Sequence, residues 1–242
     1  MCGNPGGCVA NLHMSEPGDA WQTRSPAYVA LVEHREHRAW KATGVAFALH
    51  GPTLTLRPPE PGDAAALLAL AGDAEVTRWF SWGPYTTIDE PRAYIERCAG
   101  QRNAGDQLDL LVVHRELGPA GITGLSEFSG RDARCTVGTW LGRDFWGTGA
   151  NRESKALMMH LAFELLGMHR LGSYSNVANE RSTRALEGVG LPLEGVLRGW
   201  HRHGEQWLDV NVFGMLRADW EGSELRQVPV RVDGDVPPAF LP

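Results

Sequence analysis

The stretch Phe145-Trp146-Gly147-Thr148-Gly149-Ala150-Asn151 places two glycines one residue apart, just before an apolar segment that runs to Leu165-Leu166-Gly167. Glycine lets the chain turn tightly, and the first turn of the helix that follows has N–H groups with no intrahelical partner at the positive end of its dipole. Such a junction binds phosphate. Triphosphate hydrolysis is not indicated, because the Walker loop ends in Gly-Lys-Ser/Thr and Gly149 is followed by Ala150 and Asn151. Nor does a dinucleotide fold fit, since its loop opens the strand-helix alternation and this one lies past the middle of the chain. A second residue able to do chemistry is Glu127, in Gly124-Leu125-Ser126-Glu127-Phe128. A carboxylate inside an otherwise apolar strand faces either water or a site. Tyr174 and the group His201, His203 and Asp209 follow, but His201-Arg202-His203 lacks further ligands at metal spacing, so no metal is expected.

The elements that position these residues can be read from periodicity. From Asn151 to Leu166 the polar residues Glu153, His160 and Glu164 form one narrow stripe, and the remaining surface is largely apolar. A mostly buried helix is expected, with Asn151 as its N-cap and Gly167 as the left-handed residue after its last turn. Upstream, Leu108–Arg115, Ala120–Ser129 and Cys135–Gly142 read as an antiparallel meander. Downstream come a short strand at Arg170–Asn176, a helix capped by Asn179 and ended by Gly190, and a hairpin of Glu194–Arg202 with Gln206–Arg217. Two helices, Gly62–Ala71 and Asp89–Arg102, precede the meander, and Val45–Leu49 with Leu54–Arg57 make a first hairpin. The sheet is therefore mixed.

In this order the chain resembles the GNAT acyltransferase superfamily, in the RimJ/RimL-like branch that includes N-terminal acetyltransferases of ribosomal proteins. The resemblance covers roughly Leu54 to Trp220. It rests on Leu54-Thr55-Leu56-Arg57-Pro58, Gly138-Thr139-Trp140-Leu141, Gly147-Thr148-Gly149-Ala150-Asn151, Ala162-Phe163-Glu164-Leu165-Leu166-Gly167-Met168-His169-Arg170, Asn179-Glu180-Arg181-Ser182 and Leu193-Glu194-Gly195-Val196-Leu197-Arg198. It implies a mixed α/β GNAT fold, a central and mostly antiparallel sheet flanked by helices, and an acetyl-CoA-dependent N-acyltransferase that works by direct transfer in a ternary complex. Another acyl-CoA would fit the same loop.

The resemblance also assigns roles. The N–H groups of Trp146, Gly147, Thr148, Gly149, Ala150 and Asn151 would hold the coenzyme A pyrophosphate. Trp140 and Leu141 would pair with the pantetheine arm, Asn179 would lie beside that arm, and Ser182 would lie near the sulfur as proton donor to the departing thiolate. Ser182 is equally well read as a helix residue bonded to its cap. Of the family loop Arg/Gln-x-x-Gly-x-Gly/Ala only the central glycine, Gly149, matches strictly. Many relatives carry a glutamate before the Ile/Val-Gly of the strand leading to the loop, where this chain has Thr136 in Cys135-Thr136-Val137-Gly138. Threonine cannot serve as that base, so Glu127 is the candidate catalytic carboxylate, with a water chain as the alternative. The family's acceptor wall corresponds to Trp79-Phe80-Ser81-Trp82-Gly83-Pro84-Tyr85. Trp79 and Phe80 are expected to plug the core, leaving Trp82, Tyr85 and Tyr174 for the acceptor pocket.

Composition narrows the setting. At 242 residues the chain holds one good-sized core. A formal net charge of −6 suits a cationic amine and argues against nucleic acid, and no apolar run is long enough for a membrane helix. The acceptor is a small-molecule amine or a protein N-terminus. Basic residues are arginines except for Lys41 and Lys155, an imbalance attributed to base composition. Cys2, Cys8, Cys98 and Cys135 form no disulfide framework, and the glycine-rich opening is no secretory signal, so a cytoplasmic protein is expected. Residues 1–50 read as an extension, partly disordered and with a polar helix at 27–40 that docks on the core or on a second subunit in a homodimer. Residues 51–220 form the acyltransferase domain and 221–242 a proline-containing tail. Thr136 leaves a second reading, a non-catalytic acyl-CoA sensor or assembly protein.

Overall fold

The computed structural model describes residues 46–241. The helix expected at 27–40, the rest of the extension before residue 46 and the N-terminal cysteines lie outside the described residues. Within them, nine strands form one sheet in the order β7-β8-β6-β5-β4-β3-β2-β1-β9. The strands are β1 (Ala48–His50), β2 (Leu54–Arg57), β3 (Leu108–His114), β4 (Gly118–Ser129), β5 (Arg134–Leu141), β6 (Arg170–Asn176), β7 (Leu193–His203), β8 (Gln206–Leu216) and β9 (Arg231–Asp233). Every pairing is antiparallel except β5 with β6. That one parallel pair follows from the long helical crossover between its strands, and it makes the sheet mixed, as the pattern implied.

Alternation along β3 divides the core. Leu108, Leu110 and Val112 belong to one apolar cluster, and Leu111 with Val113 to another. The second face is covered by α1 (Ala64–Ala71) and α3 (Asp89–Ala104), through Ala64, Leu67 and Ile95 against Leu111 and Ile122. A short helix α2 (Ala74–Thr77) follows α1, with the Asp73 side chain accepting from the Glu75 N–H as its cap. The first face carries α4 (Ala150–His160), which ends in a wider turn, Leu161–Leu165, with five-residue spacing. Its residues from Ser154 to Met159 are all buried, and Gly167 is left-handed at φ 69°, both as the sequence implied. Glu153, in the polar stripe, accepts from Thr53 N–H, Leu54 N–H and Thr53 Oγ1 at 2.8, 2.8 and 2.6 Å. This carboxylate ties the first turn of α4 to the β1–β2 turn.

The chain end departs from expectation. In place of an extended tail at residues 221–242, β9 adds to the sheet beside β1, and Leu225, Val236 and Phe240 are buried. Apolar residues between the prolines pull the segment down, with Phe240 packed on Phe128 at 4.9 Å between ring centroids. At the opposite edge β7 is exposed along nearly its whole length.

Candidate active site

The sheet opens between β5 and β6. These strands pair only over Arg134–Thr136 with Arg170–Gly172, after which they separate, and Ser173 Oγ donates to the Val137 carbonyl at 2.8 Å where the gap begins. Gly138 to Leu141 thus present one strand edge to a cavity of about 480 Å³. A splay of this kind leaves backbone donors and acceptors ready for an added strand.

At the cavity's upper end lies the glycine loop. Gly147 and Gly149 are left-handed, at φ 75° and 94°, which explains why both positions are glycine. A Cβ on either would meet nothing within 4 Å, so the backbone there borders open space rather than packed protein. Gly149, not Asn151, is the cap of α4, because its left-handed turn sets the chain into the helix and Asn151 already lies in the first turn. The N–H groups of Gly147, Thr148, Gly149, Asn151 and Arg152 find no acceptor among the described residues. Thr148 Oγ1 donates to the Phe145 carbonyl at 2.9 Å and accepts from Ala150 N–H at 3.4 Å. Trp146 is a clamp: its Nε1 donates to the Leu141 carbonyl at 2.8 Å, and the Arg181 guanidinium lies 3.3 Å from its ring centroid.

The helix α5 (Glu180–Glu187) closes one side. Asn179 caps it, its Oδ1 accepting from Ser182 N–H at 3.2 Å, and Thr183 anchors it through contacts with Ser175 Oγ at 3.0 Å and Asn211 Nδ2 at 3.1 Å. The Ser182 side chain is half-buried and borders the cavity, as does Asn179.

Glu127 stands at a bulge. Pairing of β4 with β5 slips between Ser126 and Ser129, and Glu127 adopts φ 53°, a conformation costly for a non-glycine residue and common where a side chain is re-aimed. Its Oε2 accepts from Thr136 Oγ1 at 2.9 Å and from Tyr174 OH at 3.2 Å. Although Glu127 is exposed, Tyr174 borders the cavity and connects the two. Burial, together with the Glu127 carboxylate, raises the Tyr174 phenol, so it remains a proton donor. Trp200 leans on Tyr174 at 6.2 Å between centroids, and His201 also borders the cavity.

The aromatic loop is inverted relative to expectation. Trp79 and Phe80, expected in the core, border the cavity, while Trp82 and Tyr85, expected there, are not among its lining residues. Trp82 stacks on Phe80 at 5.1 Å and meets Trp140 edge-on at 5.9 Å, and Tyr85 backs Trp82 at 5.3 Å. Trp82 is thus engaged with Phe80, Tyr85 and Trp140 rather than with the cavity.

Sequence reasoning missed Lys155. It is 2% exposed, borders the cavity and donates from Nζ to Thr139 Oγ1 at 2.7 Å. Burial pulls its ammonium down to about 7. A signal was present: Lys155 shares a helix face with Met158, Met159 and Ala162, where a lysine is out of place. Among the described residues no group of three His, Cys, Asp or Glu side chains could hold a metal ion, and no helix is long and apolar enough to cross a membrane.

A splayed mixed sheet with a glycine loop at the head of the crossover helix defines an acyl-CoA-dependent transferase. Comparison with known proteins agrees: a family model described as an acetyltransferase (GNAT) domain matches residues 53–192. The uncharacterized N-acetyltransferase p20 of Bacillus licheniformis is 26% identical over 175 residues, covering 72% of this chain and 98% of its own. The structure of a T. thermophilus protein, an acetyltransferase by provisional assignment, is 31% identical with a TM-score of 0.64, covering 72% of this chain and 92% of that one. The structure of RimL, a ribosomal L7/L12 alpha-N-protein acetyltransferase in complex with coenzyme A, shares the fold at 20% identity and a TM-score of 0.61, over 68% of this chain and 94% of its own. The chain belongs to the GNAT family and is an acetyl-CoA-dependent acetyltransferase.

Proposed function

We propose that the chain transfers an acetyl group directly to a primary amine, with both substrates bound together, and that Glu127 receives the amine's proton. Acetyl-CoA supplies the acetyl group already activated as a thioester. The unpaired N–H groups of Gly147, Thr148, Gly149, Asn151 and Arg152 would hold the pyrophosphate at the positive end of α4, and the edge from Gly138 to Leu141 would pair with the pantetheine arm. The lack of side chains at Gly138, Gly147 and Gly149 leaves the backbone room to approach such a ligand, since a Cβ at each would enter open space. Asn179 flanks the arm, and the Ser182 hydroxyl gives a proton to the departing sulfur.

The observation that carries the chemistry is the Thr136–Glu127–Tyr174 cluster. Where relatives place a glutamate this chain has Thr136, and its hydroxyl holds a carboxylate supplied from the adjacent strand. The bulge moves the acid by one strand without removing it. Tyr174 then links that carboxylate to the amine, and its raised phenol keeps the proton needed for the link. The acceptor is a protein N-terminus or a small amine. The aromatic residues Trp79 and Phe80 at the cavity, with Trp200 beside Tyr174, favour an acceptor with an apolar or aromatic group next to its nitrogen.

The test is thiol release from acetyl-CoA across a panel of amines and N-terminal peptides. Release that slows in Ser182→Ala is the expected result. A thermal rise with acetyl-CoA but no release with any acceptor would support the non-catalytic reading that Thr136 alone suggests.

A further inference from the structure

The chain has two lysines among 23 basic residues, and Lys155 is buried where an arginine-biased sequence had no need of a cation. No carboxylate pairs with it among the described residues; its described hydrogen-bond partner is Thr139 Oγ1. Thr139 lies on the strand edge that faces the splay, two residues from Val137, where β5 and β6 part. Thr123 Oγ1 donates to the Gly138 carbonyl at 3.1 Å and lies 2.7 Å from Thr139 Oγ1. Thr139 Oγ1 accepts from Lys155 Nζ, so the lysine sits in a small hydroxyl cluster with no counter-charge among its described partners. Desolvation brings the ammonium to about 7, which leaves a large neutral fraction at physiological pH.

We propose that Lys155 Nζ is itself an acetyl acceptor, so that the chain modifies the floor of its own cavity when no external amine is bound. This rests on the reading of the cavity as the acetyl-CoA site. The Nζ lone pair forms a bond to the acyl carbon, the carbon–sulfur bond breaks with its electron pair leaving on sulfur, and one Nζ proton passes to that sulfur to give the free thiol. The product is a neutral amide whose N–H still reaches Thr139 Oγ1. Burial favours that product, because it removes a cation that costs free energy at a fully buried position without a counter-charge.

The experiment incubates the purified full chain with acetyl-CoA and no amine, then follows intact mass, a tryptic peptide map and the thermal midpoint in parallel. The expected result is a gain of one acetyl group, reached at a rate that saturates with acetyl-CoA. The map should show lost cleavage after Lys155, and the gain should vanish in Lys155→Arg. The peptide map of the unaltered chain keeps the test decisive should the variant fail to fold. A thermal rise with acetyl-CoA but an unmodified Lys155 peptide, or acetyl found only on Lys41 or the N-terminus, overturns the inference and leaves the acetyl-CoA reading standing. No thermal rise overturns both.

Discussion

The two ends of the cavity are built by different means. On the proposed function the coenzyme end would be made of backbone: the N–H groups of Gly147, Thr148, Gly149, Asn151 and Arg152, the strand edge from Gly138 to Leu141, and glycines that leave the space before them open. The end proposed for the acceptor is made of side chains, with Glu127, Thr136 and Tyr174 in one hydrogen-bonded cluster, Trp200 beside Tyr174, and Trp79 and Phe80 at the cavity. Backbone recognition depends on conformation and tolerates many sequences. Side-chain recognition depends on identity, and on the proposed function Glu127 would supply from a neighbouring strand the carboxylate that Thr136 cannot.

If that division is right, a change at one end should leave the other intact. The largest effect is expected from Glu127→Gln, which keeps the shape and removes the base. Steady-state kinetics should show kcat down by about 10²- to 10⁴-fold, while the thermal rise produced by acetyl-CoA is unchanged. Gly149→Val is the converse. Its φ of 94° costs a branched residue roughly 1–2 kcal/mol, and the new side chain enters the space before the loop donors, so titration calorimetry should show acetyl-CoA affinity down about tenfold or more.

Smaller effects sharpen the picture of the shared floor. The Lys155 ammonium is at about 7 in the native chain against its ordinary 10.5, so between those values the unfolded chain holds a proton that the native chain has released. The lysine's penalty is full below pH 7 and is relieved as pH rises toward 10.5. Lys155→Met should therefore raise the thermal midpoint at pH 7 by several degrees, with the gap to the parent chain closing as pH rises. Least is expected from Asn179→Ala, which removes the α5 cap at a cost of about 1 kcal/mol and should lower the midpoint by roughly 2–4 °C.

The same contrast explains what could be read from sequence. The order of strands and helices followed from periodicity and from caps such as Asn179, and Gly167 marked the end of the crossover helix. The glycine loop was legible because left-handed backbone demands glycine. The cap of α4 is Gly149 and not Asn151, because a left-handed glycine starts this helix without a side-chain cap. Long-range choices were not legible. Nothing local to Arg231–Asp233 says that it pairs with Ala48–His50, and the inversion of Trp79 and Phe80 with Trp82 and Tyr85 depends on Trp140, far along the chain. Glu127 was found as a misplaced carboxylate, whereas the Thr136 and Tyr174 contacts that give it meaning needed the bulge and three adjacent strands. Composition alone does not mark Lys155; its place among the apolar residues of α4 does, and its contact with Thr139 depends on the distant strand β5.

The most direct test of the account is thiol release by the parent chain and Glu127→Gln, side by side at saturating acetyl-CoA with a reactive amine. The account predicts a loss of at least about a hundredfold in Glu127→Gln with coenzyme-induced thermal stabilisation preserved. Turnover of the variant at the parent rate would contradict it.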